Sequence, residues 1–184
     1  MEIFHGRPED ASGRLAKEIA VYDLLEKLEI QYDRVDHGPM MSIAQCEEVD
    51  QTLKIEICKN LFLCNQQKTK FYLLMMPGTK KFVTREVCRL IPSPRLSFAN
   101  EKYMEEFLNI TPGSVSVMGL MNDTENHVQL LIDREVAESE YFGCHPCMNT
   151  SSLKMRTKDM LEKFLPYVHH DYQVLDIPDA GMKA

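Results

Sequence analysis

The sequence predicts an α+β fold, with a mixed, largely antiparallel β-sheet or barrel-like core surrounded by helices. Predicted strands outnumber predicted helices, and most neighbouring strands are joined by links of hairpin length, which favours antiparallel pairing. The 184 residues are 44% hydrophobic and 27% charged, an ordinary globular balance. We therefore expect a single domain over residues 1–184 with a substantial core.

The helices are predicted from apolar spacing and capping residues. Residues 10–30 place apolar side chains at helical intervals, with Asp10 or Ser12 as candidate caps. Ser42 and Gln45 have the spacing of a capping box and open a short helix through Val49. Further helices are expected at 84–90, from 100 to 108 and at 157–164, with Thr84, Asn100 and Thr157 as their caps.

The strands are predicted from short runs rich in β-branched, aromatic and leucine residues. In chain order they are 31–35, 55–64, 71–76, 95–99, 128–132, 141–144 and 152–155, and residues 172–177 close the chain. Residues 65–68 and Pro77-Gly78 predict turns on either side of the third strand. Pro92 and Pro94 are expected to end the helix at 84–90.

Lys59 does not fit its surroundings, since it interrupts the apolar strand predicted at 55–64. A buried ammonium group is costly unless a partner or a ligand receives it. Either Lys59 lies at the strand edge and extends to water, or it points into a pocket that holds an anionic or carbonyl oxygen. This stretch alone leaves both interpretations open.

The charge of the chain is distributed unevenly. Its net charge of −7 argues against a nucleic-acid binder, yet residues 66–95 carry +6, so the remainder carries −13. A basic face on an acidic body can hold a phosphate backbone locally. A solvated face without a partner is the alternative.

No apolar run approaches the length of a membrane span, and the first residues form no signal peptide. We therefore expect a soluble, cytoplasmic protein. The six cysteines lie mostly in apolar segments, as reduced and buried thiols do. Cys144-His145-Pro146-Cys147 could form a thiol–disulfide or metal motif, but it opens no helix and lacks a second pair of ligands.

The loop from Gly113 to Gly119 can present backbone N–H groups to an oxyanion, or it can be a plain turn. Its hydroxyls, Ser114 and Ser116, are more typical of turn residues than of nucleophiles. The chain has no Gly-x-Ser-x-Gly elbow, no phosphate-binding glycine loop and no dinucleotide fingerprint. These absences argue against the enzyme classes that depend on such motifs.

His37 and His145 lie beside prolines, which favours an extended backbone. Each could orient a substrate or could be a structural histidine. Asn60 and Asn149 are amides near Lys59 and the His-Pro turn, where they could contact a ligand or end a strand or turn.

Four stretches, in this order and spacing, resemble the free-standing prolyl-tRNA editing proteins, which are homologous to the editing insertion of bacterial prolyl-tRNA synthetase. The stretches are Cys58-Lys59-Asn60-Leu61-Phe62-Leu63, Arg95-Leu96-Ser97-Phe98-Ala99, Thr111-Pro112-Gly113-Ser114-Val115 with Gly119-Leu120-Met121-Asn122-Asp123, and His145-Pro146 with Asn149-Thr150. The resemblance spans nearly the whole chain, from about residue 21 to residue 165. It is greatest to the branch that removes alanine from proline tRNA, with the cysteine-removing branch next.

The resemblance implies hydrolysis of the aminoacyl ester at the tRNA 3′ end, in a YbaK-type editing domain with no metal and no cofactor. The family lysine falls on Lys59, which would stabilise charge at the carbonyl oxygen or the terminal phosphate. Backbone N–H groups from Ser116 to Gly119 would complete the oxyanion site, and the terminal ribose hydroxyl would help to activate water.

Further roles follow from the same resemblance. The residues expected to shape the pocket or hold the adenosine are His37, Asn60, Gly113, Val117, Met118, His145, Pro146 and Asn149. The basic face at 66–95, and not the resemblance, predicts that Lys80, Lys81 and Arg85 bind tRNA. The implied partner is the acceptor end of proline tRNA, with prolyl-tRNA synthetase as a further candidate and no membrane.

One departure leaves the substrate open. The family loop reads Gly-x-x-x-Pro, whereas its fifth position here is Val117, and Met118 departs from the pattern as well. The amino acid removed could therefore be alanine, cysteine or another. The competing hypotheses are a non-catalytic tRNA- or synthetase-binding module, and a thiol oxidoreductase that uses Cys144 and Cys147.

Overall fold

A computed structural model of the chain describes residues 1–40, 42–93 and 95–179. The strands in these residues are β1 (Phe4–His5), β2 (Tyr32–Asp36), β3 (Lys59–Asn65), β4 (Phe71–Met76), β5 (Leu96–Phe98), β6 (Val128–Asp133), β7 (Tyr141–Cys144), β8 (Ser151–Arg156) and β9 (Tyr172–Leu175). The helices are α1 (Ala16–Lys27), α2 (Ile43–Leu53), α3 (Thr84–Leu90), α4 (Glu101–Leu108), α5 (Arg134–Ala137), α6 (Thr157–Asp159) and α7 (Leu165–Tyr167). A 3-10 helix covers Val117–Asn122, and a π-helical segment, Met160–Phe164, joins α6 to α7.

The strands form two sheets. The four-stranded sheet has the order β1-β2-β8-β7 and is antiparallel. The five-stranded sheet has the order β5-β3-β4-β6-β9, in which β6 runs parallel to both of its neighbours. A parallel bridge between Ile57 and Gly143 links the two sheets. The prediction of an α+β fold with a mixed, largely antiparallel sheet is confirmed, and the two sheets form no closed barrel within the described residues.

The five-stranded sheet has a hydrophobic core on each face. Phe62 and Cys64 of β3 face the main core, which also contains residues of α1, α4 and the 3-10 helix. The alternate residues Leu61 and Leu63 face a second core beneath α3. Because side chains alternate along a strand, Lys59 lies on the same face as Leu61 and Leu63.

The strand predicted at 55–64 begins at Lys59 instead, so Lys59 opens the strand and does not interrupt it. Ile55 and Ile57 pack in a third apolar cluster with residues of β2 and α2 before the chain enters the sheet. The backbone N–H of Ile57 donates to the Asp50 carboxylate at 3.2 Å, which ties this segment to the end of α2.

Local capping explains which helix boundaries were predicted correctly. The capping box of Ser42 and Gln45 is present, and Asn100 caps α4. The helix predicted from residue 10 begins only at Ala16, since Gly13 has a φ of 79°, outside the helical range. Thr84 and Thr157 are first helical residues, and the caps are the residues before them. Pro94, predicted with Pro92 to end α3, lies outside the described residues.

A buried ion pair connects the 3-10 helix to the segment before β9. His170 Nε2 lies 3.0 Å from Asp123 Oδ2, and both side chains are buried. Burial alone would lower the pKa of His170, but its hydrogen bond to Asp123 outweighs burial and raises the pKa. The charged pair therefore contributes to stability only while His170 is protonated.

We expect the free energy of unfolding to fall as the pH rises through the raised pKa of His170, because the pair's contribution is fully present only below the ordinary histidine pKa. His170→Gln should remove about 1–3 kcal/mol at low pH and flatten this dependence. Urea unfolding at about pH 5.5 and about pH 8.5 measures both effects. The exposed neighbour variant His169→Asn is the control, and an unchanged pH dependence in His170→Gln would contradict the prediction.

Candidate active site

Two histidines meet at one end of the four-stranded sheet. His37 follows β2 and His145 follows β7, and their ring centroids lie 6.3 Å apart in an edge-to-face arrangement. The backbone N–H of His37 donates to Thr150 O at 2.9 Å, which holds the loop after β2 against the chain before β8. The fold thus brings together two residues that are far apart in the sequence.

Backbone carbonyls fix the tautomer of both rings in their neutral form. His145 Nδ1 lies 2.9 Å from Ser151 O, and His37 Nδ1 lies 2.7 Å from Gly38 O. Because a carbonyl only accepts hydrogen bonds, Nδ1 carries the proton in each neutral ring. His37 Nε2 then accepts from the Ser152 hydroxyl at 2.9 Å. None of the described residues donates to His145 Nε2, which keeps its lone pair.

The surroundings of His145 favour the neutral form of its imidazole ring. Burial lowers the pKa of its ring below the ordinary value, the Ser151 carbonyl opposes this, and the nearby His37 lowers it further. At neutral pH, His145 therefore presents an unprotonated Nε2. Such a nitrogen can accept a hydrogen bond or a proton from a substrate or a water molecule.

Asn149 and Gly113 form a second contact beside the histidines. Gly113 has a φ of 88°, and a Cβ atom there would lie 3.8 Å from Asn149 Nδ2. Asn149 Nδ2 donates to Met40 O at 3.3 Å. Three loops that the sequence analysis treated separately therefore converge here, namely those at 37–40, 111–116 and 145–150.

A polar network missed by the sequence analysis supports this end of β2. The Ser151 hydroxyl donates to Asp36 Oδ1 at 2.7 Å, and Arg14 Nη2 donates to Asp36 Oδ2 at 2.8 Å. Burial would raise the pKa of Asp36, but the hydrogen bonds from Arg14, Ser151 and Arg34 outweigh it and lower the pKa. Arg14 also pairs with the buried Glu18 at 2.6 Å. The position of Asp36 directly before His37 was the one available signal, since nothing in the sequence points to Arg14.

The segment that leads into β3 contacts β7 at the bridge between the two sheets. Cys58 N–H donates to Gly143 O at 3.4 Å, next to the Ile57–Gly143 bridge. Because the bridge is parallel, Lys59 and His145 leave it in the same direction along their chains. Lys59 and His145 therefore each lie two residues beyond the same bridge.

Lys59 is half-buried, and its Nζ donates to Lys80 O at 2.7 Å. Asn60 Nδ2 donates to Cys58 O at 3.2 Å, while Asn60 Oδ1 is buried and accepts no hydrogen bond from the described residues. A buried acceptor without a donor is costly, so a donor from a ligand or from water would stabilise it. Neither side chain contacts His37 or His145 in the described part of the chain.

The catalytic roles predicted for Ser116 and Gly119 are not supported by the structure. Ser116 is fully buried, and its Oγ accepts the N–H of Met118 at 3.1 Å. Gly119 N–H donates to Ser116 O at 3.0 Å. The N–H groups expected at the oxyanion are thus used inside the 3-10 helix. A Cβ on Gly119 would lie 2.5 Å from Ile110 Cδ1, which shows that this glycine serves close packing.

Val117, Met118 and Pro146, which were predicted to shape the pocket, are also buried. Val117 and Met118, predicted to line the pocket, are fully buried in the main core. Pro146 is buried as well, and the next residue, Cys147, has a φ of 61°. Val117 and Met118 can therefore shape the pocket only by supporting its wall from behind.

Lys80 does not belong to an exposed basic face. Its Nζ lies 2.8 Å from Asp133 Oδ2 and 3.0 Å from Glu135 Oε1, and it also donates to Ile177 O. Its side chain is 5% exposed, so the tRNA-binding role predicted for it is wrong: its charge is already neutralised. Lys81 and Arg85 are exposed, and neither forms an ion pair within the described residues.

The thiol oxidoreductase hypothesis is not supported. Cys144 and Cys147 are free and fully buried. Burial raises the pKa of both thiols, to about 12 for Cys147. A redox-active pair needs an accessible thiolate with a lowered pKa.

Within residues 1–40, 42–93 and 95–179, no group of three or more potential ligands could hold a metal ion. No helix in the same ranges is long and apolar enough to span a membrane. A groove of about 900 Å³ lies beside β1 and β8, and its lining includes Tyr32, Tyr141 and Arg156 but none of the predicted site residues. We therefore place the candidate site at the histidine pair and not in that groove.

The architecture is that of small editing-type α+β domains. A solved structure described as a candidate trans-editing enzyme for prolyl tRNA synthetase superposes with a TM-score of 0.64. It is 16% identical, and the match covers 88% of this chain and 97% of that one.

The chain belongs to the aminoacyl-tRNA editing domain family, whose model matches residues 37–163. It is 28% identical over 158 residues to the prolyl-tRNA editing protein ProX of Acetoanaerobium sticklandii, covering 86% of this chain and 96% of that protein. It is 26% identical to the prolyl-tRNA synthetase associated domain-containing protein 1 of Danio rerio, covering 83% of each chain. The protein is thus an editing hydrolase that deacylates aminoacyl-tRNA.

Proposed function

We propose that this protein acts as a single domain that removes alanine from mischarged proline tRNA by hydrolysing the aminoacyl ester. The observation that carries the proposal is the parallel Ile57–Gly143 bridge, because Lys59 and His145 each lie two residues beyond it and His145 packs against His37. The family of the chain and its ProX relative support an editing role. Prolyl-tRNA synthetase is a candidate partner that would deliver the substrate.

In the proposed reaction, a water molecule attacks the ester carbonyl carbon while His145 Nε2 accepts its proton. The tetrahedral intermediate collapses when the bond between the carbonyl carbon and the ribose oxygen breaks. That oxygen takes the proton back from His145, which leaves the free amino acid and an uncharged tRNA. The neighbouring ribose hydroxyl helps to orient the water, since an activated ester needs positioning more than a strong nucleophile.

Lys59 supplies the positive charge. An ammonium group has three N–H donors, and one of them is taken by Lys80 O. The other two can contact the carbonyl oxygen as it becomes negative, or the terminal phosphate. With Met118 and Gly119 N–H engaged elsewhere, Lys59 replaces the backbone oxyanion site that the sequence suggested.

Selectivity for alanine rests on size. Gly113 and Asn149 would border the side chain of the amino acid, since a Cβ on Gly113 would be in ordinary van der Waals contact with Asn149 Nδ2. A pocket that fits a methyl group excludes the larger proline ring by steric clash. Steric exclusion discriminates better than the ~1–3 kcal/mol that a synthetase gains per methylene group, which is why editing is needed.

The proposal is tested by incubating the protein with proline tRNA charged with alanine, cysteine, serine or proline and measuring loss of the ester. We expect rapid loss of alanine and retention of proline. Preferred loss of cysteine would assign the neighbouring branch of the family. Stability of all four esters, with tRNA still bound, would leave a non-catalytic tRNA-binding module.

Lys81 and Arg85 should contribute to tRNA affinity through phosphate contacts. The double variant Lys81→Glu, Arg85→Glu is expected to raise Kd by about tenfold or more at low salt and to reduce the salt dependence of binding. Filter binding at several salt concentrations measures both. Lys68→Glu, Lys70→Glu is the matched control, because it reverses two exposed lysines in the β3–β4 turn region. Equal binding by all three proteins would contradict the prediction.

A further inference from the structure

Phe98 is the most exposed large hydrophobic side chain among the described residues, with 64% of its surface accessible. It lies at the end of β5, an edge strand of the five-stranded sheet. Phe82 packs against it edge to face, with ring centroids 5.8 Å apart. An edge-to-face pair leaves a flat ring surface open, on which a planar group of a ligand can stack.

The aromatic pair lies on the same side of the sheet as Lys59. Phe98 is directly opposite Leu63 in the antiparallel β3–β5 pair, so the two side chains share a face. Lys59 is on that face too, about 13 Å from Leu63 along the strand. Lys59 Nζ also binds Lys80 O, and Phe82 follows Lys80 by two residues.

Two basic side chains without an ion-pair partner among the described residues lie close in sequence to Phe82. Lys81 precedes Phe82, and Arg85 lies in the first turn of α3, and both are exposed without an ion pair in the described ranges. The nearest acid in that helix, Glu86, is paired with Arg89 at 3.2 Å. Flat aromatic surfaces flanked by unpaired cations are the features with which proteins bind single-stranded nucleic acid.

We propose that Phe98 and Phe82 form a stacking platform for an unpaired base of the tRNA 3′ end, with Lys81 and Arg85 on its phosphates. The platform rests on the proposed function and deepens it, because it would hold the single strand on the face of the sheet that carries Lys59. The proposed ligand is RNA, because its bases can stack on the Phe98 and Phe82 rings and its phosphates can pair with Lys81 and Arg85. Binding of a protein partner to the same patch is the alternative that the experiments below distinguish from RNA binding.

The first experiment measures deacylation of alanyl-tRNA by Phe98→Leu, Phe98→Ala and Phe98→Tyr. Phe98→Leu keeps an apolar side chain but removes the ring, whereas Phe98→Tyr keeps the ring. We expect a KM increase of about 5- to 100-fold for Phe98→Leu and Phe98→Ala with kcat little changed, and near-normal KM for Phe98→Tyr. Equal KM values for Phe98→Leu and the unmodified protein would overturn the platform.

The second experiment uses the absence of tryptophan from the chain. Phe98→Trp introduces a single tryptophan whose fluorescence is quenched when a base stacks on it. Tyr172→Trp is the matched control, because Tyr172 is also exposed but lies on β9, at the opposite edge of the same sheet. We expect a single-stranded oligonucleotide with the sequence of the tRNA 3′ end to quench Phe98→Trp and not Tyr172→Trp.

The outcomes separate the platform from the proposed function. Quenching by RNA in a protein that hydrolyses no ester would support the platform and reject the editing reaction. Hydrolysis with no quenching and no KM change would reject the platform and leave the editing reaction standing. Quenching by prolyl-tRNA synthetase but not by RNA would overturn the platform in favour of a protein interface.

Discussion

Lys59→Ala is expected to slow deacylation of alanyl-tRNA by about 10²–10³-fold, the usual effect of removing one group that stabilises an oxyanion. The loss should appear in kcat, because the charge on the carbonyl oxygen develops only in the transition state. Single-turnover assays with saturating protein measure the chemical step directly. Lys59 opens β3 and is half-buried, so its ammonium group is not required to form the sheet.

Two further variants control this result. Lys59→Met keeps the length of the side chain without its charge and should be as inactive as Lys59→Ala. A Tm within a few degrees of the unmodified protein would show that both variants fold. Retention of full activity by either variant would refute the charge-stabilising role.

His145→Gln should reduce kcat by about 10²–10⁴-fold if its Nε2 accepts the proton of the attacking water. Glutamine keeps a polar side chain of similar length but offers no basic nitrogen. In the unmodified protein, kcat/KM should be constant at neutral pH and should fall as the pH drops through the lowered pKa of His145, since protonation removes the lone pair. The residual activity of His145→Gln should lack this fall.

His37→Gln is the matched control for the pH profile. His37 lies beside His145, but its Nε2 is already occupied by the Ser152 hydroxyl. We expect His37→Gln to retain the acidic fall in rate and to lose much less activity. If His37→Gln abolished the fall and His145→Gln did not, the base would be His37.

Local signals in the sequence predicted much of the fold. The bounds of β4 were predicted correctly because an unbroken apolar run is enclosed by turn residues. The Ser42 capping box was found because its two hydrogen bonds join residues close in sequence. The start of β3 was misplaced, since Ile55 and Ile57 are apolar through their packing on α2, and only the tertiary fold distinguishes this from strand burial.

The residues proposed for the site come from the family resemblance, whereas their burial and hydrogen bonds could not be predicted from the sequence. The resemblance led to Lys59, His145 and Asn149, and it placed them near one another. The burial of Lys80 could not be predicted, because Asp133 and Ile177 come from distant parts of the chain. The free Nε2 of His145 depends on the carbonyl of Ser151, and the sequence contains no signal for a backbone hydrogen bond.

The Ile57–Gly143 bridge makes the width of the active site depend on a residue without a side chain. A Cβ on Gly143 would lie 2.4 Å from Ile55 Cδ1 and 2.9 Å from Ile57 Cγ1, so any larger residue would press on the segment that leads into β3. Lys59 directly follows that segment and His145 directly follows β7, so a shift at the bridge would change the distance between them. The distance between the Lys59 ammonium group and His145 Nε2 therefore depends on the packing at this bridge. A substitution at Gly143 can change that distance without replacing either residue.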